Sequence, residues 1–326
     1  MRDDDKIVAI RRGILLACVT ASLWGVLAIV LKFTLRHVDA FTIVWFRFTV
    51  AFCLLLGIMV WRRPALARSI LTRPPPQALI AGSLLGFNYY AFMKGVDLTS
   101  ASNTQVLIQI GPMLLIVSGI AMFGERLSRR QVLGYGIAAI GFVMFYRSQL
   151  SELADAPAQY NEGNLWIVAA ALAWVGYAVL QKQLVRRYDP QQLNLIIYAV
   201  PAILFAIPAE PSALTGLSPG VWLLMVFLGI NTLVAYGALA EALRLTPVNI
   251  VSTIITLNPL ITLSCMAVLE AMAVTWIDPE PLSTVSYIGA GTILAGAILV
   301  VAQGASRVDE DSLPVEDSLP VEDSRS

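Results

Sequence analysis

Ten long apolar segments constrain the fold of this chain more than any other feature. A helix needs about 20 mostly apolar residues to cross the hydrocarbon core of a bilayer. The segments of that kind are residues 13–33, 40–61, 78–96, 101–123, 131–147, 164–182, 191–209, 219–241, 250–270 and 284–303. The chain is 57% hydrophobic and 13% charged, whereas soluble domains carry about 25% charged residues. The sequence therefore predicts an all-α integral membrane protein with ten transmembrane helices.

The distribution of positive charge predicts the orientation of these helices, because lysine and arginine concentrate in cytoplasmic loops. With residues 1–12 in the cytoplasm, 17 of the 22 Lys and Arg residues fall in cytoplasmic segments and 4 in outer segments. We therefore expect a multi-pass protein of the plasma membrane (the inner membrane of a bacterium) with both termini cytoplasmic. Residues 148–163 are predicted to be an outer linker. The acidic tail at 304–326 is predicted to be disordered, because it has too few apolar residues to form a core.

The chain repeats itself after about 150 residues. Pairs that recur at spacings of 147 or 150 are Trp24 and Trp174, Lys32 and Lys182, Asp39 and Asp189, and Pro112 and Pro259. Each half, 13–147 and 164–303, holds five predicted helices. Because five is odd, the second half enters the membrane inverted relative to the first. Inverted repeats let a site between two halves face one side and then the other, so we expect a central cavity and alternating access.

Helices four and nine of the prediction carry matching sets of polar residues, each followed by a proline. The sets are Gln105, Gln109 and Pro112 in the first half, and Ser252, Thr256 and Pro259 in the second. Their i, i+4, i+7 spacing places each set on one helix face. A proline inside a helix removes a backbone hydrogen bond and kinks the helix, so the prolines are candidate gating hinges. The polar residues are candidate substrate ligands, with hydrogen bonding between helices as the alternative role.

Further candidate substrate ligands lie deep in other predicted helices. Trp24 and Trp174 lie too far inside for the interfacial belt, and their rings suit stacking on an aromatic or cationic solute. Helix packing is their alternative role. Asn88 and Phe92 share one face of helix three, and we match Asn231 of helix eight to Asn88. Buried amides need hydrogen-bond partners, so both asparagines are predicted to face protein or a pore.

Few ionisable residues lie deep in the predicted helices, and Arg47 is the exception. A charge inside the membrane is a functional candidate by default. Because helix two holds no nearby acid, Arg47 is predicted either to cap backbone carbonyls or to reach the cytoplasmic half of the cavity. The central helices contain neither a mid-helix carboxylate for a proton relay nor the clustered cations that a phosphorylated solute requires. We find no enzyme motif and no metal-ligand spacing, and the net charge is zero. The sequence thus predicts no catalysis, cofactor, metal or nucleic-acid partner.

The stretch GERLSRRQVLGYGIAAIG, residues 124–141, resembles the fourth-to-fifth helix signature of EamA-type members of the drug/metabolite transporter superfamily. Trp24, Arg47 and the two prolines of helices four and nine fit the same pattern. Within that superfamily the chain is most similar to bacterial amino-acid exporters, such as the YddG-type exporters of aromatic amino acids. The resemblance implies two five-helix bundles around a central cavity, with helices five and ten peripheral. The second half departs from the pattern in two places. Ile197, and not an arginine, occupies the position that corresponds to Arg47, and no basic residues follow Glu270.

We therefore predict an exporter of small metabolites, amino acids first, with aromatic and neutral ones preferred. Two alternatives stay open: an exporter of drug-like or other organic solutes, and a membrane scaffold or sensor that transports nothing. Glycines in helices five and ten suit close helix packing, with a homodimer contact as the alternative. They are Gly134, Gly136, Gly141, Gly289, Gly291 and Gly296.

Overall fold

The computed structural model describes residues 3–99, 101–154, 158–272, 274 and 284–310. Within those residues the chain forms thirteen α-helices and one short 3₁₀ turn, Pro211–Leu214. The helices are α1 (Asp3–Thr34), α2 (Ala40–Arg62), α3 (Pro64–Thr72), α4 (Pro76–Leu98), α5 (Ala101–Leu107), α6 (Ile110–Phe123), α7 (Arg129–Ala154), α8 (Ala158–Leu184), α9 (Pro190–Leu204), α10 (Pro219–Leu245), α11 (Val248–Ile255), α12 (Asn258–Ala271) and α13 (Thr284–Glu310). The prediction of an all-helical protein is confirmed over the described residues.

Six helical stretches of the described chain are long and apolar enough to cross a membrane. They are Ile7–Thr34, Ala40–Arg62, Asn103–Phe123, Asn161–Leu184, Pro219–Leu245 and Val248–Ala271. Each coincides with a predicted transmembrane segment. The other four predicted segments are also helical, as α4, α7, α9 and α13. Within α13, Tyr287–Ala302 is a shorter apolar stretch.

The helices extend further into polar sequence than the apolar pattern predicts. The predicted linker at 148–163 is largely helical, because α7 continues to Ala154 and α8 begins at Ala158. Residues of good helix propensity, such as Gln149 and Glu152, allow this. α13 likewise continues to Glu310 through the start of the predicted disordered tail, while residues 311–326 lie outside the described residues. Helices at these two places therefore continue beyond the apolar segments that the sequence marks.

Capping residues fix where several helices begin, since the first N–H groups of a helix have no partner inside it. Asp39 accepts from the Thr42 N–H at the start of α2, and Asp189 accepts from the N–H groups of the first turn of α9. Ser128 and Gln131 form a reciprocal capping box at the start of α7, at 3.1 and 2.9 Å. These starts are therefore encoded locally.

Helices of the two halves pack against each other in matching pairs, α1 along α10 and α4 along α8. Where α1 crosses α10, the Thr20 hydroxyl donates to the Ala235 carbonyl at 3.0 Å. Where α4 crosses α8, the Asn88 amide donates to the Ala170 carbonyl at 2.8 Å. Positions 20 and 170 are 150 residues apart and positions 88 and 235 are 147 apart. Different side chains therefore make hydrogen bonds at positions that the sequence repeat relates.

Two lysines that the repeat relates cap helix ends, where the last carbonyls lack partners and a cation is favoured. Lys32 of α1 donates to the Thr99 carbonyl beyond α4 at 2.9 Å. Lys182 of α8 donates to the Thr246 carbonyl beyond α10, also at 2.9 Å. The recurrence of lysine after 150 residues therefore has a structural role in each half.

Glycines bring α7 and α13 into close contact. A Cβ added at Gly141 would lie 2.6 Å from the Ile293 nitrogen and 2.8 Å from the Gly289 carbonyl oxygen. A Cβ at Gly134 would lie 2.9 Å from the Gly296 carbonyl oxygen. Four of the six glycines thus serve packing within one chain. Gly136 and Gly291 face open space, so a homodimer through that face stays a prediction.

We expect Gly141→Val to lower the free energy of unfolding by about 1–3 kcal/mol, because overpacking of a tight contact costs that much. Gly136→Val is the matched control, since no atom lies within 4 Å of its added Cβ. The measurement is thermal unfolding of the purified protein in detergent, followed by circular dichroism. Equal midpoints for the two variants would show that the α7–α13 contact does not require glycine.

Candidate functional site

A central cavity lies where the two halves meet, and both halves contribute to its wall. It encloses about 590 Å³ of atom-free space, its open mouth included. The lining residues are Trp24, Leu27, Arg47, Asn88, Tyr89, Phe92, Met93, Gln105, Ile108, Gln109, Pro112, Trp174, Tyr236, Ile255 and Asn258. They come from nine helical segments or the turns between them, so the site exists only in the folded chain.

Two interrupted helices meet at this cavity. The predicted helix 101–123 is divided into α5 and α6 by a turn at residues 108–109, and 250–270 is divided into α11 and α12 by a turn at 256–257. The sequence predicts one kinked helix in each case, which is wrong in that detail. Pro112 lies in the first turn of α6 and Pro259 in the first turn of α12, where proline is tolerated because no intrahelical donor is needed.

The carbonyls freed by the prolines find partners inside the protein. The Ile108 carbonyl accepts from the Gly111 N–H at 2.9 Å. With its amide oriented to donate, the Asn258 nitrogen lies 3.1 Å from the Ile255 carbonyl and 2.9 Å from the Ala21 carbonyl. Asn258 thus closes the second interruption with a side chain. Sequence reasoning missed it, although its position, directly before Pro259, was the available signal.

Aromatic rings line one side of the cavity in a continuous series. The Trp24 ring lies 5.9 Å from the Trp174 ring, edge to face, and 5.1 Å from the Tyr236 ring. Tyr236 in turn lies 5.6 Å from Tyr89. The sequence singled out both tryptophans, and the structure brings them together across the two halves. Tyr236 was missed, although it follows Tyr89 by 147 residues, the spacing of the helix-four and helix-nine repeat.

Arg47 is buried to 1% exposure and lines the cavity. Its Nε donates to the Thr232 hydroxyl at 3.0 Å, its Nη2 donates to the Tyr89 hydroxyl at 3.5 Å, and its guanidinium carbon lies 4.5 Å from the Tyr89 ring centroid. The structure thus places Arg47 on hydroxyl groups at the cavity wall and not on backbone carbonyls. Among the described residues it forms no ion pair.

Eight predicted site residues line the cavity and four do not. Those that line it are Trp24, Arg47, Asn88, Phe92, Gln105, Gln109, Pro112 and Trp174. Those that do not are Asn231, Ser252, Thr256 and Pro259. Gln105 is held by the Trp24 carbonyl at 3.3 Å and Gln109 by the Gln105 carbonyl at 3.2 Å.

The four residues outside the cavity have structural explanations. The 147-residue spacing pairs Asn88 with Ala235, so Asn231 lies a turn away and donates to the Leu23 carbonyl at 2.9 Å. Thr256 donates to the Thr253 carbonyl at 2.6 Å. Ser252 is fully buried, and Pro259 is buried as well. Matching spacing therefore did not guarantee a matching orientation.

Two buried polar atoms of lining residues have no hydrogen-bond partner in the described part of the chain. They are the indole nitrogen of Trp174, a donor, and the side-chain oxygen of Gln109, an acceptor. An unmade hydrogen bond in a buried site costs about 1–3 kcal/mol. Such atoms are suited to meet a polar solute or water.

Glu125, just beyond the end of α6, makes hydrogen bonds with the start of α11. Gly124 adopts the left-handed conformation at φ 67°, which an L side chain disfavours, and it turns the chain so that Glu125 faces the next half. The Glu125 carboxylate accepts from the N–H groups of Val248 at 2.6 Å and Asn249 at 3.0 Å. Glu270, at the end of α12, is exposed, and its carboxylate makes no hydrogen bond with any described residue.

Comparison with known proteins identifies the family. The EamA-like transporter family model matches residues 11–147 and 161–302. The chain belongs to the EamA-like transporter family. It is 32% identical to an uncharacterized transporter of Haemophilus influenzae over 288 residues, which cover 88% of this chain and 94% of that protein. It is 33% identical to the uncharacterized inner membrane transporter YhbE of Escherichia coli, covering 88% and 90%.

A solved crystal structure shares the fold of this EamA-like chain. It superposes with a TM-score of 0.68, at 20% identity, over 90% of this chain and 98% of its own. Together with the apolar helices, membership of the family establishes a multi-pass membrane protein. No cluster of three or more His, Cys, Asp or Glu suited to a metal ion occurs among the residues described.

Proposed function

We propose that this protein exports small metabolites, amino acids first and aromatic and neutral ones among them, across the bacterial inner membrane by alternating access. The observation that carries the proposal is the central cavity, where the interruptions of two helices, one from each half, meet an aromatic and polar wall. Irregular backbone at membrane depth is tolerated only where protein or a water-filled cavity surrounds it. Transporters place their substrate sites at such interrupted helices.

We further propose that the two halves are inverted five-helix repeats. Support comes from the family model, which matches two consecutive stretches of similar length, and from the hydrogen bonds of Thr20 and Asn88 at related positions. The excess of Lys and Arg in alternate loops favours cytoplasmic termini. In that arrangement the loop that carries Glu125 lies in the cytoplasm.

The wall chemistry favours amino acids over drug-like cations. A cationic solute calls for a carboxylate in the site, but Arg47 is the only charged residue among the lining residues. The rings of Trp24, Trp174 and Tyr236 suit an apolar or aromatic side chain. The unpartnered Gln109 oxygen suits the ammonium group of an amino acid. Specificity of the YddG type, for aromatic amino acids, is the reading we favour.

The geometry at Glu125 supports a state that is closed on the cytoplasmic side. Its carboxylate joins the two halves through Val248 and Asn249, and negative charge at a helix N-terminus is favourable. Glu270 makes no corresponding hydrogen bond among the described residues. We propose that breaking the Glu125 contact accompanies opening toward the cytoplasm, with Pro112 and Pro259 marking the hinges.

The substrate proposal predicts saturable flux of labelled L-phenylalanine and L-leucine in vesicles that contain the purified protein. Trp174→Ala is expected to raise KM by roughly twofold to tenfold, since an aromatic contact contributes about 0.5–1.5 kcal/mol. Trp61→Ala, at an exposed position on α2, is the matched control and should leave KM unchanged. Flux no greater than in protein-free vesicles would refute amino-acid transport.

The hinge proposal predicts that Pro112→Ala or Pro259→Ala slows exchange by roughly fivefold, because alanine restores one backbone hydrogen bond of about 1 kcal/mol across the interruption. Pro201→Ala, inside α9 and away from the cavity, is the control. Exchange rates in vesicles are compared at equal amounts of inserted protein. Rates equal to that of the control would argue that the interruptions do not bend.

The proposed cytoplasmic closure predicts that Glu125→Ala exposes the cavity to the cytoplasm, because two N–H groups of α11 lose their cap at a cost of about 0.5–2 kcal/mol. The measurement is labelling of Ile108→Cys by a membrane-impermeant thiol reagent, in a background in which Cys18, Cys53 and Cys265 are serine. Labelling from the cytoplasmic face should rise by roughly twofold to thirtyfold.

Glu270→Ala, at the end of α12, is the control for Glu125→Ala. It should leave labelling from the cytoplasmic face unchanged, since its carboxylate caps no described helix. Equal labelling in both variants would place the closure elsewhere.

A further inference from the structure

Arg47 is a buried cation whose hydrogen-bonding capacity is mostly unused. A guanidinium carries five N–H donors, and two of them donate to hydroxyls, at 3.0 Å to Thr232 and at 3.5 Å to Tyr89. The other three have no acceptor within hydrogen-bond distance among the described residues. Buried charges in proteins are normally paired, because an isolated one is costly. Arg47 therefore lacks the partner that its burial calls for.

The contacts that Arg47 does make hold it in place without neutralising it. The Thr232 hydroxyl donates to the Leu228 carbonyl at 2.9 Å, so its lone pairs face Arg47. The Tyr89 ring lies against the guanidinium at 4.5 Å. Neither residue carries a negative charge. The guanidinium is thus oriented by two neighbours, and its remaining N–H groups are left for a group in the cavity.

The two interrupted helices bring both ends of the helix dipole to the cavity. α6 and α12 begin at it, since Pro112 and Asn258 line its wall, and α5 and α11 end at it, since Ile108 and Ile255 line it too. The N-terminus of a helix carries a positive partial charge and the C-terminus a negative one, so the two ends at each turn offset each other. No lining residue is acidic. Arg47 is therefore the one full charge among the lining residues.

We propose that Arg47 binds a carboxylate of the transported solute, in a two-point contact through its unused N–H groups. This proposal rests on the proposed transport function and specifies which end of the solute each part of the wall meets. The carboxylate lies at Arg47 beside Tyr89, and the apolar part lies against Trp24, Trp174 and Tyr236. Planar guanidinium and planar carboxylate match in geometry and charge. A solute without a carboxylate then lacks the main polar contact.

The test compares three probes of one shape: L-phenylalanine, 3-phenylpropanoate, which lacks the ammonium group, and phenethylamine, which lacks the carboxylate. Binding is read as thermal stabilisation of the purified full-length protein in detergent at increasing probe concentration. Both carboxylates should stabilise the wild type, and phenethylamine should not. Arg47→Gln should weaken carboxylate binding by about tenfold or more, the range of a lost charged hydrogen bond.

Arg62→Gln is the matched control, because Arg62 lies on the same helix and also contacts an aromatic ring, that of Trp61, but is exposed. Arg62→Gln should be stabilised by the three probes in the same order as the wild type. Should Arg47→Gln fail to fold, Arg47→Lys serves instead, since lysine keeps the charge but loses the planar two-point contact. Arg47→Lys should bind the carboxylate probes more weakly than the wild type and more strongly than a variant without the charge.

The proposal is overturned if phenethylamine stabilises the wild type as well as 3-phenylpropanoate, if neither carboxylate stabilises it, or if Arg47→Gln and Arg47→Lys keep the wild-type preference. The vesicle assay separates this failure from that of the transport proposal. Flux of L-phenylalanine with no role for Arg47 would remove only the carboxylate site. Carboxylate binding through Arg47 without flux would remove only amino-acid export.

Discussion

The requirement that every backbone polar group in a membrane finds a partner governs this structure. Continuous helices meet it unaided, but the turns at 108–109 and 256–257 do not, so each needs a surrounding of protein or water. The structure meets the requirement with the Gly111 N–H in one half and the Asn258 side chain in the other. Both turns consequently lie at the interface of the halves, and the cavity forms around them. The long helices that pack around these turns hold the cavity walls in place.

The same constraint explains why one uncompensated charge matters so much. In a wall of rings and amides, Arg47 is the only charged residue among the lining residues. Water or a solute must compensate that positive charge, because no lining residue is acidic. A carboxylate, the group that we propose for the solute, matches the charge and the planar geometry of the guanidinium.

The two halves that the sequence repeat relates differ in several side chains at the site. Ile197 stands where the first half has Arg47, and Asn258 where it has Gly111. Glu125 caps a helix of the other half, whereas Glu270 is exposed. Because of these differences, our proposal places the carboxylate of the solute at Arg47, in the first half.

The sequence by itself determined the helices and the family, because apolar length, capping residues and the repeat are local or periodic signals. It also singled out both tryptophans, Gln105 of α5 and Gln109 of the turn before α6 as candidate residues of one site. Only the tertiary structure decided that Tyr236 and Asn258 line the cavity, that Asn231 does not, and which groups orient Arg47. Those outcomes depend on how each helix is rotated and where it crosses its neighbours. Spacing along one helix does not specify rotation or crossing, since both arise from packing between residues far apart in the chain.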